Sequence, residues 1–314
     1  MFYDCKLFFI FFLLLLNFSC RQPLSVEKIN ELKNYSSGSA MAFYNNQIYL
    51  MGDDMNYLLI TDTSLNSLDS LQLESGLGRI PKSTKQDIEA AATLRLRKSS
   101  YLLLLGSGSI YPYRNKGWLI DLRTKQKTFI NLDTFYKRIL ASGIEQLNIE
   151  GVASIPGSMV LANRGNKSVP KNYLIFTSPE FWNKQGSAEI RVMKLGSNED
   201  TASFNGVSGI EYSYKSDCLI LTVSTENTYS TQTDGVIGKS YLWLINNISS
   251  KKRLAAVNPN RIIDLQVLDD RFRGHKIESV CIVSENKLEY DLVLVADNDE
   301  GTSILFRIKV DKKE

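Results

Sequence analysis

The chain has 314 residues, with 37 lysines and arginines against 34 aspartates and glutamates and a net charge of +3. A balance this close to neutral argues against a nucleic-acid partner, which needs a concentrated basic face. A single histidine rules out multi-histidine metal sites, and the length suffices to bury one large core.

Residues 7–16 are an unbroken run of Leu, Phe and Ile. A membrane-spanning helix needs about 20 apolar residues, so this shorter run reads as the h-region of a signal peptide. Asn17-Phe18-Ser19-Cys20 then places a small residue directly before a cysteine. That is the pattern of a bacterial lipobox. It predicts a signal peptide over 1–19, a lipidated N-terminus, tether and closing strand over 20–35, and a folded domain over 36–314. Cys20 would anchor a periplasm-facing protein to the membrane. An uncleaved anchor or an ordinary secretory peptide is the alternative.

Beyond the tether, apolar runs are short, β-branched or aromatic, and bounded by Gly, Asn, Asp, Ser or Lys clusters. This is the strand signature. In chain order the runs fall into groups of four. The first is 40–44, 47–51, 57–62 and 67–73; the second is 88–96, 101–105, 117–122 and 127–132. The third is 149–155, 158–162, 172–177 and 189–195; the fourth is 210–214, 218–223, 240–245 and 253–257. A fifth group has only three, 277–284, 290–296 and 303–310. Four-strand units at a long, near-constant period indicate a β-propeller. Three strands would leave an unpaired edge at the seam, so residues 25–33 are expected to supply the missing one. The reading is all-β, with five four-stranded blades closed by an N-terminal strand; six blades is the alternative. One helix is expected after blade two, with Asp133 and Thr134 as N-cap candidates and Phe135, Ile139 and Leu140 at helical spacing.

An Ile-Glu phrase recurs through these groups, in Asp87-Ile88-Glu89, Asn148-Ile149-Glu150, Gly209-Ile210-Glu211 and Lys276-Ile277-Glu278, while Ser39 holds the place in the first. In a propeller, the starts of first strands and the ends of second strands share one rim. Glu89, Glu150, Glu211 and Glu278 are therefore candidate catalytic residues, as metal ligands or activators of water. Asp53, Arg164, Glu226 and His275 are candidate ligand-binding residues, and Asp297 and Asp299 candidate metal ligands. Crowded carboxylates raise one another's pKa unless a cation joins them. A site offering little but oxygen suits calcium. The competing reading is that each glutamate accepts backbone N–H groups and serves only the fold.

Other motifs fail on context. Gly106-Ser107-Gly108-Ser109 is followed by no helix, so it is no nucleotide cradle. Asp297 to Gly301 is no EF-hand, because position twelve is Ile308; a partial calcium loop or a plain hairpin turn remains. No Gly-x-Ser-x-Gly elbow supports a serine hydrolase. Cys218 and Cys281 sit in apolar runs and read as buried free thiols rather than a disulfide.

Asp87-Ile88-Glu89-Ala90, Leu102 to Ser109, Asn148-Ile149-Glu150-Gly151 with Arg164-Gly165-Asn166, and Val293 to Gly301 carry a family likeness. Over residues 36–310 the chain resembles the propeller-like bacterial proteins grouped around the esterase-like phytase domain, in a branch found largely as secreted proteins and lipoproteins. The resemblance implies hydrolysis of phosphate or carboxylic esters, assisted here by calcium, with Arg164 holding an anionic substrate. The chain departs from it at Ser39, which leaves the metal set one carboxylate short. The alternative is a non-catalytic propeller whose rim holds a small molecule, glycan, peptide or partner protein. Either reading expects a monomer.

Overall fold

The computed structural model describes residues 24–76, 78–196, 204–226, 237–297 and 301–313. The chain runs first through β1 (Leu24–Leu32), then through β2 (Gly38–Tyr44), β3 (Gln47–Gly52), β4 (Tyr57–Asp62) and β5 (Ser67–Gln72), which form blade one. Blade two is β6 (Ile88–Leu96), β7 (Ser99–Gly106), β8 (Lys116–Asp121) and β9 (Lys127–Asn131). The helix α1 (Asp133–Ala141) leads to blade three, made of β10 (Ile149–Ile155), β11 (Ser158–Asn163), β12 (Asn172–Thr177) and β13 (Ile190–Leu195). Blade four has β14 (Asn205–Ser213), β15 (Cys218–Glu226) and β16 (Ile237–Asn246). After α2 (Ile248–Lys251) and β17 (Ala256–Val257), β18 (Arg261–Asp264) completes that blade. A short α3 (Leu265–Leu268) precedes blade five, β19 (Lys276–Glu285), β20 (Glu289–Asp297) and β21 (Ser303–Asp311).

The innermost strands pack in a circle: β2 on β6, β6 on β10, β10 on β14, β14 on β19 and β19 back on β2. Core side chains lie between neighbouring blades. Leu103, Leu105, Val152 and Leu161 share one such cluster, and Val160, Leu174, Leu219 and Leu221 the next. The ring has five blades, not six. β1 closes it, pairing antiparallel with β21 from Leu24 opposite Val310 to Leu32 opposite Ser303. Without β1 the edge of β21 would be open to other chains.

One blade boundary differs from the sequence expectation. The outer strand of blade four is not 253–257 but β18, which pairs with β16. β17 instead crosses to blade three and pairs parallel with β13, giving that sheet a fifth strand. Two short apolar runs compete here, Ala255 to Val257 and Ile262 to Leu265. Val257 is drawn into the core between blades three and four, and nothing in the local pattern states which edge a run will join. The helix α1 forms as expected and buries Phe135, Tyr136 and Ile139, whereas Leu140 is exposed. Its N-cap is Leu132 rather than Asp133; the Asp133 N–H donates to Asn131 Oδ1 at 2.8 Å. Cys218 and Cys281 are free and buried, in different inter-blade clusters. Among the described residues no helix is long and apolar enough to cross a membrane.

Closure by β1 makes a testable demand. Leu24 and Leu32 are buried, and burying a leucine is worth about 1.5–3 kcal/mol. Deleting residues 21–33 should therefore cost roughly 3–6 kcal/mol in a denaturant titration. Deleting 21–23 alone should cost close to nothing; equal stability of both truncations would refute closure by this strand.

Candidate functional site

Each innermost strand carries one extra residue near its start. The register slips between Gly38 and Ala40, Ile88 and Ala90, Ile149 and Gly151, Val207 and Gly209, and Ile277 and Ser279. A bulge leaves one residue out of the ladder and re-aims its side chain. The five bulged residues are Ser39, Glu89, Glu150, Ser208 and Glu278. Blade four therefore presents Ser208 where the recurring phrase suggested Glu211. The Ser39 hydroxyl donates to the Ile88 carbonyl and the Ser208 hydroxyl to the Ile277 carbonyl, both at 2.6 Å, tying each blade to the next.

Glu211 lies three residues further along, level with Cys281 of blade five. Burial pushes its pKa up to about 7, opposed by the Tyr212 N–H, which donates to Glu211 Oε1 at 2.9 Å. Burial and then the Glu211 charge push the Cys281 thiol well up. Glu211 is thus separate from the rim acids.

The three bulge glutamates do converge, within a buried charge network. Lys85 binds Asp53 Oδ2 and, at 2.8 Å, Asp87 Oδ1. Arg114 Nη1 donates to Asp87 Oδ2 at 2.7 Å and to Ser109 Oγ at 2.8 Å, while Ser107 Oγ donates to Asp87 Oδ2 at 2.5 Å. Asp53, Asp87 and Glu89 each offer a carboxylate oxygen, all within 4.8 Å of one another. Glu150 Oε1 accepts from Asn148 Nδ2 at 2.5 Å, and Glu150 Oε2 lies 3.8 Å from Arg164 Nη1. Lys276 pairs with Glu278 Oε1 at 2.9 Å. Arg79 Nε donates to Asp54 Oδ2 at 2.6 Å, and the Asp297 charge also acts on Arg79. A cleft of about 410 Å³ lined by Ser37, Asp53, Asp54, Arg79, Lys85 and Asp297 opens this network to solvent.

Among the described residues the network and its cleft set seven carboxylates (Asp53, Asp54, Asp87, Glu89, Glu150, Glu278 and Asp297) against six cations (Arg79, Lys82, Lys85, Arg114, Arg164 and Lys276). Burial and, after it, the neighbouring charges show in the titration of the acids. Burial, then the charges of Asp87, Glu150 and Asp53, push Glu89 well up, although it keeps partial exposure. Burial pushes Glu150 up to about 7, with Glu278 and Asp87 adding and Arg164 and Lys276 opposing. Asp53 rises to about 6 through burial, against the Lys85 charge. Burial opposes the Lys85 ammonium, yet Asp53 and Asp87 hold its pKa above the ordinary value. Asp53 Oδ1, Asp54 Oδ1 and Glu278 Oε2 are buried acceptors without a hydrogen-bond partner.

Of the sequence candidates, Asp53, Glu89, Glu150, Arg164, Glu278 and Asp297 come together. His275 does not join them: its ring packs 5.7 Å from Phe306, and burial alone lowers its pKa. Asp299, the Glu226 side chain and Cys20 lie outside the described residues. Sequence reasoning missed Lys85, Arg114 and Lys276 as counter-charges. Lys85 and Lys276 each stand two residues from a rim acid (Asp87 and Glu278), a spacing that a search for basic partners would have found. Arg114 arrives from the long turn between β7 and β8 and carries no such signal.

The sequence matches the family model described as "Family of unknown function (DUF6929)" over residues 34–310. No curated protein matches it. Among solved structures, a glutaminyl cyclase from Myxococcus xanthus superposes with a TM-score of 0.52 at 9% identity, over 92% of this chain and 97% of that one. A quinohemoprotein alcohol dehydrogenase from Comamonas testosteroni gives 0.37 at 9% identity, over 89% and 44%. At such identity the first shows the propeller fold alone.

Glu211 offers a clean test of these electrostatics. Its folded pKa, about 7, exceeds the ordinary 4.5. Its contribution to stability is therefore fully present below pH 4.5 and lost as pH rises through 7. At about 1.4 kcal/mol per pKa unit, the loss is bounded at about 3–4 kcal/mol. Glu211→Gln should flatten the fall in unfolding free energy between pH 5 and about 8; an unchanged pH slope would show that Glu211 ionises freely.

Proposed function

We propose, taking as premise that this chain belongs to the family described as DUF6929, that it hydrolyses carboxylic or phosphoric esters at the acidic mouth of its channel. The observation that carries this reading is Glu150, held near neutral pKa at 3.8 Å from Arg164, with Glu89, its pKa also well raised, in the same network. Carboxyls with raised pKa values can take up and release protons near neutral pH, as a base and an acid must. Glu150, ionised, takes a proton from the attacking water. Glu89, protonated, gives one to the departing oxygen. Arg164 receives the anionic oxygen of the substrate. Solvent returns the proton from Glu150 to Glu89 between turnovers. The resemblance to the esterase-like phytase group supports the same class of reaction.

A second observation favours a cation. The oxygens of Asp53, Asp87 and Glu89 fit a hard, oxygen-seeking ion, and Asp53 Oδ1 is buried without a partner. Calcium bound there would hold Glu89 ionised and would supply positive charge for an anionic substrate and its departing oxygen in place of the proton from Glu89. Lys85 already bridges the two aspartates, so an ion must share or displace its ammonium. The protein is further proposed to be lipidated at Cys20 and to face the periplasm, on the strength of Ser19-Cys20 after the apolar run.

Turnover of generic phosphate and acetate esters tests the main reading. Activity should show a pH limb near 7, and Glu150→Gln should lower kcat/KM by about 100-fold or more while the melting temperature stays close to wild type. Saturable binding of a glycan or peptide with no turnover would instead identify a non-catalytic propeller. Calcium should raise the melting temperature of the wild type and not of Asp87→Asn; equal response of the two would remove calcium from this site.

A further inference from the structure

The end of the ring opposite the mouth carries a different chemistry. Contacts between blades place the hairpin tips together there. Lys215 Nζ donates to the Glu285 carbonyl at 3.0 Å, Lys312 Nζ to Ser216 Oγ at 2.8 Å, and Arg307 Nη1 to the Thr63 carbonyl at 2.9 Å. Tyr214 OH meets Ser154 Oγ at 3.3 Å, and Lys125 Nζ meets Tyr49 OH at the same distance. Arg97, Lys98, Arg123, Lys215, Arg253 and Lys287 stand exposed on these tips.

The acids of the same turns are mostly hydrogen-bonded to donors within or next to those turns. Asp62 accepts from the Asn66 N–H and side chain, Asp121 from the N–H groups of Arg123 and Thr124, and Asp217 from the N–H and hydroxyl of Ser249. Glu285 is paired with Lys312 at 2.6 Å. Glu180 and Glu189 remain exposed. These hydrogen bonds hold the carboxylates close to the backbone, while the longer cationic side chains project beyond them. Between the cations stand large apolar side chains: Tyr214 is 65% exposed, Leu254 49% and Leu288 48%.

The chain also enters the fold at this end. Leu24 pairs with Val310 near the end of β21, and β1 climbs from there toward the mouth. Whatever holds the upstream segment holds this face nearest to it.

We propose that this face docks on an anionic phospholipid surface, with the basic tips against the headgroups and Tyr214, Leu254 and Leu288 entering the interfacial layer. Basic side chains are drawn to anionic lipid within a Debye length of it, and amphipathic aromatic and aliphatic groups prefer the interface. The acidic mouth then faces away from the membrane, open to soluble substrate. The inference does not depend on the ester reading, nor on lipidation of Cys20.

The test uses residues 21–314, which contain every strand of the closed ring and omit Cys20. Co-sedimentation with phosphatidylcholine vesicles is compared with and without phosphatidylglycerol. Binding should require phosphatidylglycerol and fade as salt is raised. Arg97→Glu with Lys98→Glu and Lys287→Glu should weaken it at least tenfold. Lys33→Glu with Lys82→Glu and Lys137→Glu, the same change in charge on the other side, should leave it within twofold. Equal binding to neutral vesicles, absence of binding at low salt, or equal loss in both triple variants overturns the proposal. Retention by a nucleic acid without vesicle binding overturns it as well. Should the first triple variant melt early, the wild-type salt and lipid dependence still decides.

Discussion

A single unpaired residue near the start of each innermost strand sets the chemistry of the channel mouth. Along a regular strand, successive side chains enter opposite inter-blade cores, and a charged residue would be buried without partners. The bulge breaks that alternation at one position and leaves its side chain at the mouth. Where the residue is Ser39 or Ser208 the hydroxyl is spent on the neighbouring blade's carbonyl. Where it is Glu89, Glu150 or Glu278 a carboxylate is left for chemistry. The same crowding limits what may follow the bulge. A Cβ on Gly151 would stand 2.8 Å from the Ile210 nitrogen, and one on Gly209 would stand 2.7 Å from the Glu278 carbonyl. Five innermost strands meet so closely that only small residues pass.

Crowded carboxylates come at an energetic cost that their surroundings only partly offset. Lys85, Arg114, Arg164 and Lys276 are themselves mostly buried, so each cation brings its own desolvation. Burial first, and then the charges of neighbouring acids, keep Glu89 and Glu150 raised beside these cations. A network held in this state is poor as a stabilising device and well suited to proton transfer. Arg114 and Lys85 lock Asp87 in place, while the unpartnered oxygens of Asp53 and Glu278 leave acceptors for something that donates or carries positive charge.

The two ends of the ring hold their charges differently: buried carboxylates converge at the mouth, and exposed cations stand on the hairpin tips. Acids gather at the mouth because the bulges and the ends of second strands lie there. At the hairpin tips the acids are held close to backbone N–H groups, while Arg97, Lys98 and Lys287 stand outward. A propeller offers two separate faces to its surroundings, and this one gives each a distinct electrostatic character.

The strand-sized apolar runs, their grouping in fours, the three-strand remainder at the end and the spare run before Ser36 pointed to a ring of five blades closed by its N-terminal strand, with six left open until the strand pairing was seen. Those features are local, written in side-chain alternation and turn residues, and chain closure allows few other solutions. The rim positions of Glu89, Glu150 and Glu278 were legible for the same reason. What only the tertiary structure decided were matters of register and of meeting. Gly209-Ile210-Glu211 repeats the phrase, yet the bulge falls at Ser208, because pairing with β15 fixes the slip and no residue pattern announces it. β17 left its own blade for the edge of β13 because Val257 finds its core there. Arg114 meets Asp87 from a turn that the chain pattern leaves free. Sequence determined the strands and their count; the closing of the ring determined which side chains face one another, because those distances exist only once all five blades are in place.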